Sequence, residues 1–263
     1  MPTQSISIVT GRGHSLAGSI ELPAGPVRGA ALFAPCFTCT KQSLAAVAVS
    51  RALARVGLAC LRVDFTGLGS SGGDFGQAGF ASDVEDVIDS AEHMIGLYGR
   101  GLLLVGHSLG GAAVLAAAGR LPDQAVSAIA TIGAPAHVPH VLHNVNGDLA
   151  AIEREGQGEV FIGGRRFMLD REFLDKTRSI DLLQQVSLVR KPLLICHAPT
   201  DEIVGIENAG GLFGAAKHPK SFVSLSGADH LLTDGDDCDY VADLIACWSR
   251  RYLPRGETRQ AAP

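Results

Sequence analysis

Gly101-Leu-Leu-Leu-Val-Gly-His-Ser-Leu-Gly-Gly111 is the stretch on which the fold turns. Leu102 to Val105 is an apolar run with no polar alternation, bounded by glycines, which reads as a strand buried on both faces. Gly106-His107-Ser108-Leu109-Gly110 follows at once as a G-x-S-x-G pattern, and Ala112 to Ala118 is alanine-rich and helix-favouring. Strand, G-x-S-x-G and helix together form the setting of a nucleophile elbow. Such a turn holds Ser108 in an unfavourable backbone conformation and lifts its hydroxyl above the sheet edge. Side chains at positions 106 or 110 would collide with neighbouring backbone. The same turn aims the N–H of Leu109, at the helix start, toward a developing oxyanion. The bland alternative is a glycine-rich turn with an incidental serine, and the strand–helix setting weighs against it.

A serine alcohol needs a base to become a nucleophile near neutral pH, and the base needs an orienting acid. Pro192-Leu-Leu-Ile-Cys196 is another buried apolar run, leading into His197-Ala-Pro-Thr-Asp201-Glu202. Ser221 to Leu225 alternates as a strand, and Gly227-Ala-Asp-His230 follows as a loop. Ser108, Asp201 and His230 thus fall in loops after successive expected strands, where an open parallel sheet gathers its chemistry. Asp201, first after its strand, is the expected acid in preference to Glu202.

The 263 residues suit one large α/β domain carrying a modest insertion, with ample core. A formal charge of −5 gives no electrostatic reason to expect nucleic acid or an anionic membrane as partner. No apolar stretch reaches bilayer length, and Met1-Pro-Thr-Gln-Ser5 lacks the basic head and apolar core of a signal peptide, so the cytoplasm is the expected compartment. Six cysteines stand at 36, 39, 60, 196, 238 and 247, and nothing in them resembles a secreted disulfide framework. The expected partner is a small-molecule ester. No metal and no cofactor are expected, and the oligomeric state stays open, a homodimer among the alternatives.

Taken in order, Ser5–Thr10 and Ala17–Leu22 read as an opening hairpin, and Gly29–Ala34 as a buried strand. A helix over Ser43–Val56, a strand over Leu58–Phe65 and a helix over Ser82–Tyr98 follow, the last opened by the Ser82/Glu85 capping-box spacing. Then come the elbow strand and helix and a strand near Ala125–Ile132. This alternation argues for a mostly parallel central sheet with helices on both faces. It breaks between residues 136 and 187. There Glu159–Ile162 and Arg165–Leu169 read as a hairpin around Gly163-Gly164, and Arg171–Val186 as a helix. The expected division is a core of residues 1–135 and 188–263 with a cap insertion at 136–187, seated over the sheet's C-terminal edge. Helices over Ile206–Ala216 and Asp239–Tyr252 complete the core, and Leu253–Pro263 is a polar tail expected to fray.

Three rival motifs need weighing. Gly67-Leu-Gly69-Ser-Ser-Gly72 is a G-x-G-x-x-G after a strand, but the glycines run on through Gly79 before a helical pattern begins, so a loop is the better reading than a dinucleotide site. Cys36-Phe-Thr-Cys39 has redox-pair spacing near a helix start. A single such pair cannot complete a four-cysteine zinc site. His137, His140 and His143 recur every third residue, which a metal site would exploit on a helix. Pro139 interrupts them and no carboxylate keeps the spacing, so cap packing or pocket lining is the expectation. His107 is too close along the chain to Ser108 to act as its base.

Gly106-His-Ser-Leu-Gly-Gly, Asp64-Phe-Thr-Gly-Leu-Gly-Ser-Ser, Ala198-Pro-Thr-Asp-Glu-Ile-Val-Gly and Ala228-Asp-His230 make nearly the whole chain resemble an α/β-hydrolase. Cys36-Phe-Thr-Cys-Thr-Lys41, Thr131-Ile-Gly-Ala-Pro135 and His218-Pro-Lys-Ser-Phe222 resemble, more narrowly, the hydrolase half of bacterial proteins fused to an OsmC-type peroxidase domain. The resemblance implies a serine hydrolase with Ser108 as nucleophile, Asp201 as acid and His230 as base. It implies the backbone N–H of Phe37 as second oxyanion donor beside that of Leu109. Where relatives carry a His-Gly pair this chain has Pro35-Cys36, and the bulkier residue narrows the acyl side. The activity implied is carboxylesterase-like, and crowding of the acyl side by Phe37 and Cys36 makes short acyl esters the expected substrates. A thioesterase or small-amide hydrolase would use the same triad. A different class of function, redox or binding partnership with a peroxidase through Cys36 and Cys39, is the rival. Cys36, Phe161, Phe167, Met168 and His137 are the expected pocket residues.

Overall fold

A strand that is apolar at every position needs a core on each of its two faces. In the computed structural model, which describes residues 1–253, that is how the chain is built. The polar tail beyond residue 253 lies outside the described residues. Strands β1 (Thr3–Val9) and β2 (Ser15–Glu21) are followed by β3 (Gly29–Ala34), α1 (Leu44–Arg55), β4 (Leu58–Val63), α2 (Phe75–Tyr98), β5 (Leu102–His107), α3 (Leu109–Ala118) and β6 (Val126–Ile132). After a 3₁₀ segment at Val138–Asn144 come β7 (Val145–Asn146), α4 (Leu149–Glu155), β8 (Gln157–Ile162), β9 (Arg165–Asp170), α5 (Arg171–Arg178) and α6 (Leu182–Leu188). The chain then runs through β10 (Leu193–His197), α7 (Glu207–Ala215), β11 (Lys220–Ser224) and α8 (Gly235–Ser249).

Eight strands form one sheet in the order β1-β2-β4-β3-β5-β6-β10-β11. The pairs β1–β2 and β2–β4 are antiparallel, and every pair from β4 across to β11 is parallel. Alternate residues of the central strands feed opposite cores. Ala31, Phe33, Leu103 and Val105 pack with Val49 and Leu53 of α1 and Val241 and Ile245 of α8. Leu32, Ala34, Leu102 and Leu104 pack with α2, α3, α6 and α7. Helix α3 is buried at all ten positions. Its alanines and glycines suit a helix with no solvent face.

Two helices depart from the sequence expectation. Helix α2 begins at Phe75, capped by the Asp74 carboxylate accepting from the Gly76 N–H at 2.8 Å, rather than at Ser82. Its glycines resemble loop, but Gly79, at φ 60°, is a kink past which α5 passes. A Cβ there would sit 2.6 Å from the Phe173 carbonyl oxygen. The helix expected over Arg171–Val186 is two helices. The Asp181 carboxylate accepts from the Gln184 N–H at 3.1 Å and starts α6 afresh, so that α5 lies on α2 while α6 lies on α3 and α7. Between β6 and α6 a second sheet, β7-β8-β9, is antiparallel throughout, with Val160 opposite Phe167 and Ile162 opposite Arg165. Among the described residues no helix is long and apolar enough to cross a membrane.

The β5–α3 junction is the tightest point of the fold. Ser108 stands at φ 53° and ψ −122°, a conformation non-glycine residues rarely hold. A Cβ on Gly106 would lie 2.3 Å from the Gly110 carbonyl oxygen, and one on Gly110 would lie 2.2 Å from that of Pro35 and 2.4 Å from that of Ala34. Both obstacles are backbone, which cannot rotate away. Gly110→Ala is therefore expected to destabilise the protein by roughly 1–3 kcal/mol, the usual cost of overpacking. That is a fall of about 2–4 °C in Tm per kcal/mol for a domain of this size. A thermal melt indistinguishable from that of the unaltered protein would show that the two loops do not approach so closely.

Candidate active site

The elbow delivers the Ser108 hydroxyl to the carboxyl end of the sheet. The Ser108 N–H donates to the Ile132 carbonyl at 2.7 Å, tying the turn to the next strand. His230, in the loop after β11, places Nε2 2.9 Å from Ser108 Oγ. Its Nδ1 lies 2.7 Å from Asp201 Oδ2. With Asp201 ionised, Nδ1 carries the proton and donates it to the carboxylate, which leaves the Nε2 lone pair facing the serine hydroxyl. All three side chains are largely buried.

Burial alone would raise the Asp201 pKa. The hydrogen bond from His230 and those from the Val204 and Ile203 N–H groups, at 2.8 and 2.9 Å to Oδ1, outweigh it and hold the carboxyl below its ordinary value. The acid is thus fixed as carboxylate with both oxygens occupied. Glu202, its neighbour, is exposed.

Two further histidines hold the loops that carry this pair. His197, the last residue of β10, donates from Nε2 to the Val204 carbonyl at 2.7 Å, closing the Asp201 loop. His107 of β5 donates from Nε2 to the carbonyl of His230 at 2.7 Å. Neither Nδ1 has a hydrogen-bond partner, so each ring is held by a single bond. Burial, reinforced by the nearby His230, pushes the His107 pKa down to about 4 despite the hydrogen bond to the His230 carbonyl.

Facing the serine from the other side is the turn after β3. Phe37 and Leu109 both line the cavity that contains Ser108 and His230. Among the described residues, neither backbone N–H has a main-chain acceptor outside the regular elements, and Leu109, first in α3, has none within its helix. Cys36 and Cys39 are joined as a disulfide, with Cα atoms 5.1 Å apart, so the Phe37 turn is covalently closed. Its C-terminal side is held by charge. Asp64 accepts from the Lys41 N–H at 2.7 Å and from the Lys41 ammonium, and Arg62 donates to the Lys41 carbonyl at 2.9 Å and to buried Glu21 at 3.1 Å. The glycine loop that mimicked a dinucleotide motif serves this network. Ser70 N–H donates to Asp64 at 3.0 Å, and a Cβ on Gly69 would lie 2.2 Å from that carboxylate.

The cavity holds about 640 Å³ and is walled by the Cys36–Cys39 turn, Val141, Ile162, Arg165, Ile203 and Leu231 among others. Several expected pocket residues lie elsewhere. Phe161 and Met168 are 46% and 50% exposed, outside the cavity. A strand's side chains alternate, and it is Val160 and Ile162 that turn inward, so Phe161 between them points to solvent. Phe167 packs on Phe75 with ring centroids 4.7 Å apart and likewise does not line the cavity. His137 is exposed and stands before the 3₁₀ segment. That segment's three-residue turn stacks His140 on His143 at 5.5 Å, and these two reach the cavity wall. Cys36 lines the cavity as expected. Arg165, outside the set of expected pocket residues, reaches from β9 to donate to the Thr38 carbonyl, linking the small sheet to the Phe37 turn. It stands opposite Ile162 in the hairpin and so shares the cavity-facing side of the small sheet.

A mostly parallel sheet with helices on both faces, an elbow serine after its fifth strand and an acid and a histidine after later strands define an α/β-hydrolase fold. The chain belongs to the alpha/beta hydrolase family, whose model matches residues 27–255. Among solved structures it is similar to the esterase domain of a Rhodothermus marinus protein, 44% identical, with TM-score 0.77 over 97% of this chain and all of that one. Est1E of Butyrivibrio proteoclasticus, solved with ferulic acid bound, shares the fold with TM-score 0.82 at 21% identity, over 94% of this chain and 98% of that one. Among curated proteins, YfhR of Salmonella typhi is 28% identical over 177 residues, and YfhR of Escherichia coli K12 25% identical over 168. Both alignments cover 64% of this chain and 53% and 51% of those proteins, so it spans about half the length of the curated relatives it matches.

The buried His107 carries a consequence for pH. In the folded chain it gains a proton only near pH 4, and when unfolded near 6.5. The unfolded state therefore binds more protons between those values. The stabilisation is complete above pH 6.5 and declines as pH falls toward 4, a loss of roughly 3 kcal/mol. His107→Gln keeps a donor for the His230 carbonyl and does not titrate. Its Tm should fall less steeply than that of the unaltered protein between pH 7 and 4. Parallel Tm–pH curves would contradict a neutral, buried His107.

Proposed function

We propose that the protein is a cofactor-independent serine esterase acting on short-chain carboxylic esters through Ser108, His230 and Asp201. The observation that carries this is the hydrogen-bonded line Asp201–His230–Ser108, with Phe37 and Leu109 offering backbone N–H groups beside the serine. Ser108 Oγ attacks the ester carbonyl carbon as His230 Nε2 takes its proton. The carbonyl oxygen, now anionic, lies between the Phe37 and Leu109 amides. As the C–O bond breaks, His230 returns the proton to the departing alcohol and leaves the acyl group on Ser108. Water then attacks in the same geometry, giving its proton to His230, and the acid departs as the proton returns to Ser108. Asp201 keeps His230 in the required tautomer and stabilises its cationic form.

The 44% identity to an esterase domain over 97% of this chain supports ester over amide chemistry. The acyl side is the wall made by Phe37 and the Cys36–Cys39 turn. A covalently closed turn cannot withdraw to admit a long chain, which supports a preference for short acyl groups.

Ser108→Ala should reduce turnover of a chromogenic short-chain ester by on the order of 10⁶, as loss of a triad nucleophile does, with an unchanged far-UV spectrum. Asp201→Asn should lower kcat by about 10⁴, through the wrong His230 tautomer, while Glu202→Gln leaves it near the original value. Retained turnover in Ser108→Ala removes the proposed mechanism. A larger loss at 202 than at 201 reassigns the acid.

A further inference from the structure

The Cys36–Cys39 disulfide is out of keeping with the rest of the molecule. A chain of this length with two full cores has no need of a covalent staple. The entropy a disulfide removes from the unfolded chain grows with the loop it closes, and this one spans a sequence separation of only three. It adds less to global stability than a long-range bridge would, and its main effect is local, because it encloses Phe37.

Everything about the turn makes the Phe37 amide sensitive to that closure. Cys36 O accepts from the Cys39 N–H at 2.9 Å, and Thr38 is held at φ 58°, in the left-handed region a β-branched residue avoids. The Phe37 ring sits 6.1 Å from Phe75 and 6.4 Å from Phe173 of α5, so the turn also touches the segment between β6 and β10. Arg165 grips the same turn at Thr38. Opening the disulfide would leave the backbone of Thr38 and Phe37 held only by the Cys39 N–H to Cys36 carbonyl bond and by the Arg165 contact. The two sulfurs are unequally placed. Cys36 is buried, whereas Cys39 is half-exposed, and both line the cavity that holds Ser108. Of the other cysteines, Cys60, Cys196 and Cys238 are buried, and Cys247 is exposed on α8.

We propose that Cys36–Cys39 is a thiol–disulfide exchange site in the wall of the substrate cavity, that its co-substrate is a small dithiol reaching Cys39 through that cavity, and that its oxidation state gates hydrolysis by setting the Phe37 oxyanion donor. The gating rests on the esterase reading of the same site. A thiolate of the dithiol attacks Cys39 Sγ, and the S–S bond breaks with Cys36 leaving as thiolate. The second thiol of the reductant then attacks the mixed disulfide, closing the reductant's own disulfide and releasing Cys39 as thiolate. The protein has gained two electrons and, once both thiolates are protonated, two protons, and the dithiol has lost them. The oxidised form is the active one.

The test uses the full chain, equilibrated in buffers of defined ratios of reduced to oxidised dithiothreitol. Each sample is split. One half is alkylated and mapped by peptide mass to count free thiols at Cys36 and Cys39, and the other is assayed with p-nitrophenyl acetate. Reduction is expected to lower kcat by roughly ten-fold or more, a part of the 10²–10³ that loss of a whole oxyanion donor costs. The fall should track the fraction alkylated and reverse on reoxidation. The double variant Cys36→Ser, Cys39→Ser should hold the reduced kcat in every buffer, and Cys247→Ser should respond as the unaltered protein does. Equal kcat in fully oxidised and fully reduced protein would overturn the gating. Cys36 and Cys39 remaining alkylatable in the most oxidising buffer would overturn the exchange site itself. Absence of hydrolysis in both states would refute the esterase reading and the gating with it, while the thiol count still judges the exchange site.

Discussion

The approach of the Gly110 backbone to the carbonyls of Ala34 and Pro35 is the constraint on which the rest of the site depends. It brings the first turn of α3 against the end of β3, so the two chain segments that supply Leu109 N–H and Phe37 N–H lie side by side. The same contact leaves no room for a relaxed backbone at Ser108, whose φ of 53° is sustained by β5 on one side and a wholly buried helix on the other. Strain at one residue is affordable because both neighbours are anchored in the core. Ser108 is thereby presented without a flexible arm, and its hydroxyl needs no search to find His230.

Around this point the molecule uses buried polar groups as fixed rods. His107 and His197 each bind one carbonyl in the loops of His230 and Asp201, so two strands of the sheet set the separation of acid and base. Lys41, Arg62, Asp64 and Glu21 do the same for the turn that carries Phe37. Removing one partner from such a network strands a buried charge, which costs far more than the pair contributes as a whole. The network therefore specifies the position of the turn more than it adds stability. The disulfide completes that specification from the other end of the turn.

Much of this was legible because the relevant signals are local. The unalternating strands, the glycines at 106 and 110, and the placement of Asp201 and His230 just past strand ends each follow from a few adjacent residues. What was not legible depends on phase or on distant partners. Whether Phe161 or Ile162 faces inward depends on the register of β8 against β7 and β9, since one residue of slip exchanges the faces. The start of α2 was hidden because Gly76 and Gly79 look like loop until α5 is seen passing over them. Cys-x-x-Cys spacing permits both a thiol pair and a disulfide, and the turn between Cys36 and Cys39 brings their Cα atoms to 5.1 Å, within disulfide reach. Arg165 finds its partner Thr38 across the cavity, a contact no sequence window contains.

In the arrangement described, His230 makes Ser108, and no other residue, nucleophilic. Reaction with a fluorophosphonate ester tests it directly, because the reagent captures an activated serine without requiring the right substrate. One phosphonyl group per chain is expected, located at Ser108 by peptide mass mapping, with labelling slowed by orders of magnitude in His230→Ala. Labelling at another residue, or an unchanged rate in His230→Ala, would contradict it.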